Sequence, residues 1–530
     1  MSPPASAPAG RWSPQARPAG CAVALKSAPV LVVFPSAEPT MRSGPGALLW
    51  SAPRGCKAGG GGEAVGATLG RGDVPSRARP LVAGSDLTAV AAATGTAAGQ
   101  VVVAGTGGLS EGRDVGAFSA PRPLGGLAAP VAAFSGYLGD AAIASSVRTR
   151  AGWAIAVRVQ RHYDDTLSAA RLVPVGRHPI AALVVTLDFR AEALLVWASG
   201  GAIYACELPQ SGPAQPAHRL AQLETGWSTR EVWALLSDDG HAIVAWRTQS
   251  VLPSRPASRP PGESIGQRSG RESSTAIELS IAAAGLAFGA PHTLERYRDP
   301  GGFVPPVGSS RLIRLSSEAV MLAWTGVRDG RYAVLASPVS LHRGAWAPVA
   351  ISESAPAAGR GTAALGSAAA ASAAGGSSPT QEAVLSDVAP GPDAEAVAVW
   401  RVAPRLPEGA PGRAGSGRAN PGSWAIRAAR GHYAGRGEVS FDAPEQVAPA
   451  GADGPPAVAI DPATGRAFAA WVSLAGAPHV EYAVREPAVA PSASANAIPA
   501  TALACCLGLP YASIDSSAIR IGTPLAACLK

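Results

Sequence analysis

Lysine is almost absent from this 530-residue chain. It occurs only as Lys26, Lys57 and Lys530, so nearly all the positive charge is arginine. The formal excess of +7 is modest for this length, and no Lys/Arg cluster with interleaved aromatics occurs, so no nucleic-acid partner is expected. The six cysteines, Cys21, Cys56, Cys206, Cys505, Cys506 and Cys528, form neither paired CxxC motifs nor a disulfide framework, and they leave the redox compartment open. The eight histidines show no HxxxH or HExxH spacing, and residues 59–62, four glycines, lack the Lys-Ser/Thr of a phosphate loop. No metal and no cofactor is therefore expected.

Long apolar runs are missing as well. A spanning helix wants about 20 mostly apolar residues, whereas the uncharged stretch 487–514 is broken by Pro491, Pro499 and Pro510, so no firm membrane segment is expected. The best early apolar run, residues 28–34, is short for a secretory signal, and Ala19-Gly20-Cys21 ends a lipoprotein-like box that no apolar segment precedes. Residues 1–82 read as a disordered leader or as untranslated upstream sequence, and 488–530 as a low-complexity tail. The Arg71-Gly72-Asp73 tripeptide in that leader is a chance match to a cell-adhesion motif.

What the chain does contain is a repeat. Apolar residues 182–187 turn at Asp188-Phe189-Arg190-Ala191 and return to Trp197; residues 232–236 turn at Ser237-Asp238-Asp239-Gly240 and return to Trp246. The plan recurs before Trp324, Trp400 and Trp471. Short β-rich runs around Asp/Gly/Pro turns are hairpin signals. A third strand follows each hairpin, as at Trp153-Ala154-Ile155 and Trp424-Ala425-Ile426. An aromatic-to-proline mark comes next: Phe118 to Pro121, Phe288 to Pro291, Trp346 to Pro348 and Phe441 to Pro444. Proline lacks an N–H and suits an outermost strand, while the tryptophans suit packing between neighbouring sheets.

Four strands per unit of about 40–45 residues is the propeller plan. Units near 85–125, 130–178, 180–226, 230–297, 308–353, 382–449 and 455–487 predict an all-β, seven-bladed β-propeller spanning 85–487. The first two units lack the closing tryptophan, so six blades stay open. The last unit lacks a fourth strand, which an early segment is placed to supply. Three inserts of disordered composition, 250–274, 354–381 and 402–422, interrupt the plan. The first and third join second to third strands, and the middle one joins a fourth strand to the next unit. In antiparallel four-stranded units these connections emerge on one face, the expected binding surface.

The hairpins ending in tryptophan and the aromatic-x-x-Pro strands resemble bacterial sialidase-like propeller repeats, which are often extracytoplasmic. In that family three arginines hold a substrate carboxylate, which implies a ligand role for Arg247 and Arg401, just after Trp246 and Trp400. The family's Asp-box, Ser-x-Asp-x-Gly-x-Thr-Trp, is not reproduced: Ser237-Asp238-Asp239-Gly240 reaches Trp246 too late. Catalytic residues cannot be assigned. His162-Tyr163-Asp164-Asp165 reads as a turn, because its echo at His432-Tyr433 lacks the carboxylates. The expectation is a non-catalytic, monomeric, extracytoplasmic propeller that binds a protein or glycan ligand. A carbohydrate-active hydrolase or lyase and a structural interaction platform are the alternatives.

Overall fold

The computed structural model describes residues 12, 17–22, 29–32, 46–54, 62–69, 76–81, 89–95, 101–106, 108–112, 127–135, 139–251, 273–352, 381–404 and 424–487. Within these ranges it omits 163, 165, 238, 284, 286, 300–304, 306–307, 317–318, 342–343, 393, 436, 453, 462–463 and 474–477. Among the described residues there is no α-helix, and the chain is all-β.

Antiparallel strands build seven hydrogen-bonded sheets, and because the nine-stranded one is two groups joined by a single residue pair, they are described in chain order as eight. The first holds Val30–Val32, Gly46–Pro53, Gly62–Leu69 and Arg79–Pro80. The second holds Ala89–Gly95, Val101–Thr106 and Gly108–Gly112, and the third Leu127–Ser135, Ala141–Thr149, Gly152–Gln160 and Arg171–Gly176. Ile180–Leu187, Ala193–Ser199, Ala202–Leu208 and His218–Gln222 form the fourth. In the next three the outer strand is split in two. The fifth has Trp227–Leu236, Ala242–Val251, Ser273–Ala283, then Ala287–Phe288 and His292–Arg298. The sixth has Ser310–Arg314, Ala319–Arg328, Arg331–Ser340, then Gly344–Ala345 and Val349–Ala350. The seventh has Gln381–Pro390, Glu395–Pro404, Trp424–Gly435, then Glu438–Phe441 and Glu445–Ala452. The eighth has Ala457–Ile460, Ala467–Ser473 and His479–Arg485, and Arg17–Cys21 pairs with the last of these. One residue pair, Ala452–Ser473, joins the seventh and eighth into a nine-stranded sheet.

Each sheet is open, and the core lies between sheets. Ile155 of the third meets Leu195 and Trp197 of the fourth; Val196 of the fourth meets Trp246 of the fifth. Ile277 of the fifth meets Trp324 of the sixth, Met321 of the sixth meets Trp400 of the seventh, and Val399 of the seventh meets Trp471 of the eighth. Leu49 with Val103, and Val102 with Ile143, fill the two interfaces that lack a tryptophan. The succession returns on itself: Phe468 and Tyr482 of the eighth sheet pack on Leu48 and Trp50 of the first, and Ala457–Ile460 lies against Val30–Val32. Second strands are therefore covered on both faces, which is why 193–199 and 467–473 read as unbroken apolar runs. Outer strands such as Glu438–Phe441 alternate exposed and half-buried residues.

The described strands before residue 85 add a sheet to the seven expected units. Residues 30–32, 46–53, 62–69 and 79–80, assigned no order on composition, form it, with Leu48, Leu49 and Trp50 buried. Their strands are rich in glycine and alanine, so the β-branched signal is weak there. The early segment does supply the last sheet's fourth strand: Arg17 pairs with Tyr482 and Cys21 with His479. Trp12 bridges to Arg485 and is buried in the interface of the seventh and eighth sheets. Cys21 is disulfide-bonded, to a partner outside the described residues.

The proline marks at 288–291, 346–348 and 441–444 fall in the outermost strands, where the ladder breaks and resumes. Phe288 pairs with Ala282 and pairing restarts at His292–Leu279, leaving Pro291 in the gap. The mark at 118–121, most of insert 250–274 and of 402–422, nearly all of 354–381, and the tail 488–530 lie outside the described residues.

Candidate functional site

Polar chemistry collects where second strands end and third strands begin. Arg247, one step past Trp246, points to the opposite sheet face and is buried against the start of the sixth sheet. Its guanidinium lies 3.2 Å from Glu231 Oε1, donates to Pro305 O at 3.1 Å and bonds Ser309 Oγ. Burial pushes the Glu231 carboxyl up, and Arg247, Arg311 and the amides of Gly308 and Ser309 pull it back. Arg401 is buried too, over the Trp424 ring at 5.0 Å to the centroid. Val399, on the same strand face, packs toward the eighth sheet. The two arginines singled out by the sequence therefore face different interfaces, five–six and seven–eight.

Between those interfaces lies a cavity of about 260 Å³. It is walled by Asp329, Arg331, Tyr332 and Ser352 of the sixth sheet and by Ala383, Trp400, Val402 and Arg427 of the seventh. Topology places it on the expected face. Asp329 and Arg331 sit at the second-to-third turn of the sixth sheet, Ser352 precedes and Ala383 follows the stretch 353–380, and Val402 and Arg427 flank 405–423.

The turn that presents Arg331 has left-handed backbone at Asp329 (φ 50) and Gly330 (φ 71), the geometry of a tight two-residue hairpin. It sets Arg328 opposite Arg331. Arg328 is taken by Glu295 at 2.9 Å, whereas Arg331 has no partner among the described residues and its buried Nε makes no hydrogen bond. On the seventh sheet Arg430 is held by both oxygens of Glu395, while Arg427 has no partner among the described residues. Tyr332 donates to Asp299 Oδ1 at 3.2 Å, and burial pushes its phenol far up, so it stays protonated.

No family model matches the chain, and no curated protein is similar to it. Solved structures are. One is a protein of unknown function from Dyadobacter fermentans, at 9% identity and a TM-score of 0.34, over 90% of this chain and 100% of that one. The GH93 α-L-arabinofuranosidase of Fusarium graminearum is similar at 11% identity and a TM-score of 0.30, over 87% and 98%. The polysaccharide lyase Uly1 follows at 7% and 0.34, over 74% and 88%.

Other sequence-marked groups are structural. The His162 backbone N–H donates to Asp140 Oδ1 at 2.7 Å, and its Nδ1 lies 3.1 Å from the same oxygen; Tyr163 and Asp165 lie outside the described residues. His432 takes the equivalent place, 3.5 Å from Glu395. Among the described residues no cluster of His, Cys, Asp or Glu fits a metal, and no helix is long and apolar enough to cross a membrane. Sequence reasoning missed Arg331 and Arg427. The signal for Arg427 was present: Ala276-Ile277-Glu278 and Ala425-Ile426-Arg427 align, with the charge reversed.

Proposed function

We propose that the chain is an eight-bladed, extracytoplasmic β-propeller that binds a small ligand without transforming it, in the cavity between the sixth and seventh sheets. The cyclic packing of eight sheets supports the ring, and the bonded Cys21 suits an oxidising compartment. One observation carries the binding role: the cavity offers two arginines without ion-pair partners over aromatic walls, at the face where expected inserts 354–381 and 402–422 join the strands.

Catalysis fits this cavity poorly. Glycoside hydrolysis by the usual route needs two carboxyl groups, and among the described residues Asp329 is the one carboxyl in the lining. A lyase needs a base, and Tyr332 is held protonated. Arg247, sealed against Glu231, serves the ring itself, and Arg401 serves the neighbouring interface; the three-arginine arrangement of sialidase-like proteins has no counterpart in this reading. A glycan array run beside a fluorogenic-glycoside screen tests the proposal. Binding without turnover, lost in Ser352→Trp at unchanged melting temperature, is expected. Turnover that persists after purification to homogeneity overturns the non-catalytic reading.

A further inference from the structure

Register around the tryptophans shows what the cavity is built to accept. In the fifth sheet Trp246 stands opposite Glu278, whose Oε2 accepts the indole N–H at 2.8 Å. In the eighth, Trp471 stands opposite Glu481 and donates to its Oε2 at 3.0 Å. Trp324 of the sixth finds Glu295 on the neighbouring outer strand. In the seventh sheet the residue opposite Trp400 is Arg427. An acceptor is replaced by a cation, and the Trp400 indole N–H has no hydrogen-bond partner among the described residues.

Elsewhere the facing residue is uncharged, Val65 at Trp50, Tyr204 at Trp197 and Leu335 at Trp324, so among these six sheets the seventh alone sets a cation there. Three donor groups line one cavity: the Trp400 indole and the guanidinium groups of Arg331 and Arg427. The acceptors in the lining do not meet them. Ser352 Oγ takes the Val334 amide at 3.1 Å, and Asp329 is exposed and makes no ion pair among the described residues. The buried Arg331 Nε is left unmet, which is costly, and a carboxylate answers a guanidinium fork with paired, charge-assisted hydrogen bonds. The volume lies just under the roughly 300–1,000 Å³ of sites for drug-sized molecules, which selects a group the size of a single sugar ring or a short acid.

We propose that this cavity is an anion site, in which Arg331, Arg427 and the Trp400 N–H hold the carboxylate of a small acidic ligand. The inference rests on the cavity being the binding site and adds the charge of what enters it. An acidic sugar and a non-sugar acid share the chemistry, and Asp329 at the rim favours the sugar, whose hydroxyls can donate to it.

The test is calorimetric titration of the full chain with glucuronate, glucose, succinate and sulfate, with Arg427→Glu and Arg331→Met as variants. Glucuronate is expected to bind and glucose is not, with affinity falling about tenfold or more in each variant. Arg427→Glu sets there the glutamate that the fifth and eighth sheets carry, so its melting temperature is expected to hold or rise while binding is lost, which separates loss of site from loss of fold. Succinate binding as well as glucuronate identifies a general acid site. Binding of sulfate alone, equal binding of glucose, no binding of any anion, or binding unchanged in both variants overturns the anion inference. Ser352→Trp distinguishes the two levels: a neutral ligand blocked by it leaves the cavity reading intact, whereas glucuronate binding that survives it places the ligand elsewhere.

Discussion

Trp50, Trp197, Trp246, Trp324, Trp400 and Trp471 are all essentially buried, each on the second strand of its sheet and each facing the preceding sheet. A large ring at that position removes apolar surface from two sheets at once. Trp324→Ala is expected to cost about 3–5 kcal/mol, read as a shifted denaturant midpoint with an unchanged slope; a cost within about 0.5 kcal/mol, typical of surface positions, contradicts the packing role. At the opposite ends of these strands the turns are fixed by polar contacts. Asp239 is exposed, and although slight desolvation raises its pKa, bonds from Ser237 and His241 outweigh this and hold it down, to about 2. Its contribution is therefore present above the ordinary carboxylate pKa and is lost as pH falls toward 2. Asp239→Asn is expected to be less stable than the parent at pH 6 and indistinguishable from it near pH 2, by parallel thermal melts. Five of the six tryptophans are legible in the sequence because each ends an apolar run after a short polar turn. Trp50 is not, since its partner strand, Gly62–Leu69, holds two glycines and two alanines.

The strand pairs explain which connections tolerate change. Ala242–Val251 and Ser273–Ala283 stay in register to their last pair, Val251–Ser273, so the ends that residues 252–272 join are already neighbours. Replacing those 21 residues with a four-residue Gly/Ser turn is expected to leave the β-sheet circular dichroism unchanged and to stabilise by about 1 kcal/mol, since closure cost grows slowly with length. Loss of cooperative melting contradicts this. The face carrying the inserts was legible because antiparallel pairing forces alternate connections to one end. The cavity itself was not, because Arg331 and Arg427 are distant in sequence, and only register brings them to one interface. Reading Arg427 against Glu278 and Glu481 requires knowing which residue faces each tryptophan. Arg247 and Arg401 followed from position after tryptophan, which alternation turns away from that tryptophan's interface.

At the scale of the molecule, the proposed ring is held shut by residues 12–21. Arg17–Cys21 completes the eighth sheet, Trp12 packs beside it, and the Trp50 indole donates to Cys21 O at 2.8 Å, tying the first sheet to the eighth. Removing residues 1–22 is expected to expose the edge of His479–Arg485, lower the melting temperature and favour self-association through that edge. Unchanged melting and a monomeric elution profile contradict the latch. In the proposed eight-bladed ring, 46–53 and 62–69 are as structural as any other strands. Hydrogen exchange of the full chain resolved by peptide tests this most directly. Amides of 46–53 and 62–69 are expected to be protected as strongly as those of 193–199; exchange there at the rate of an unfolded chain contradicts the first sheet and the closure that depends on it.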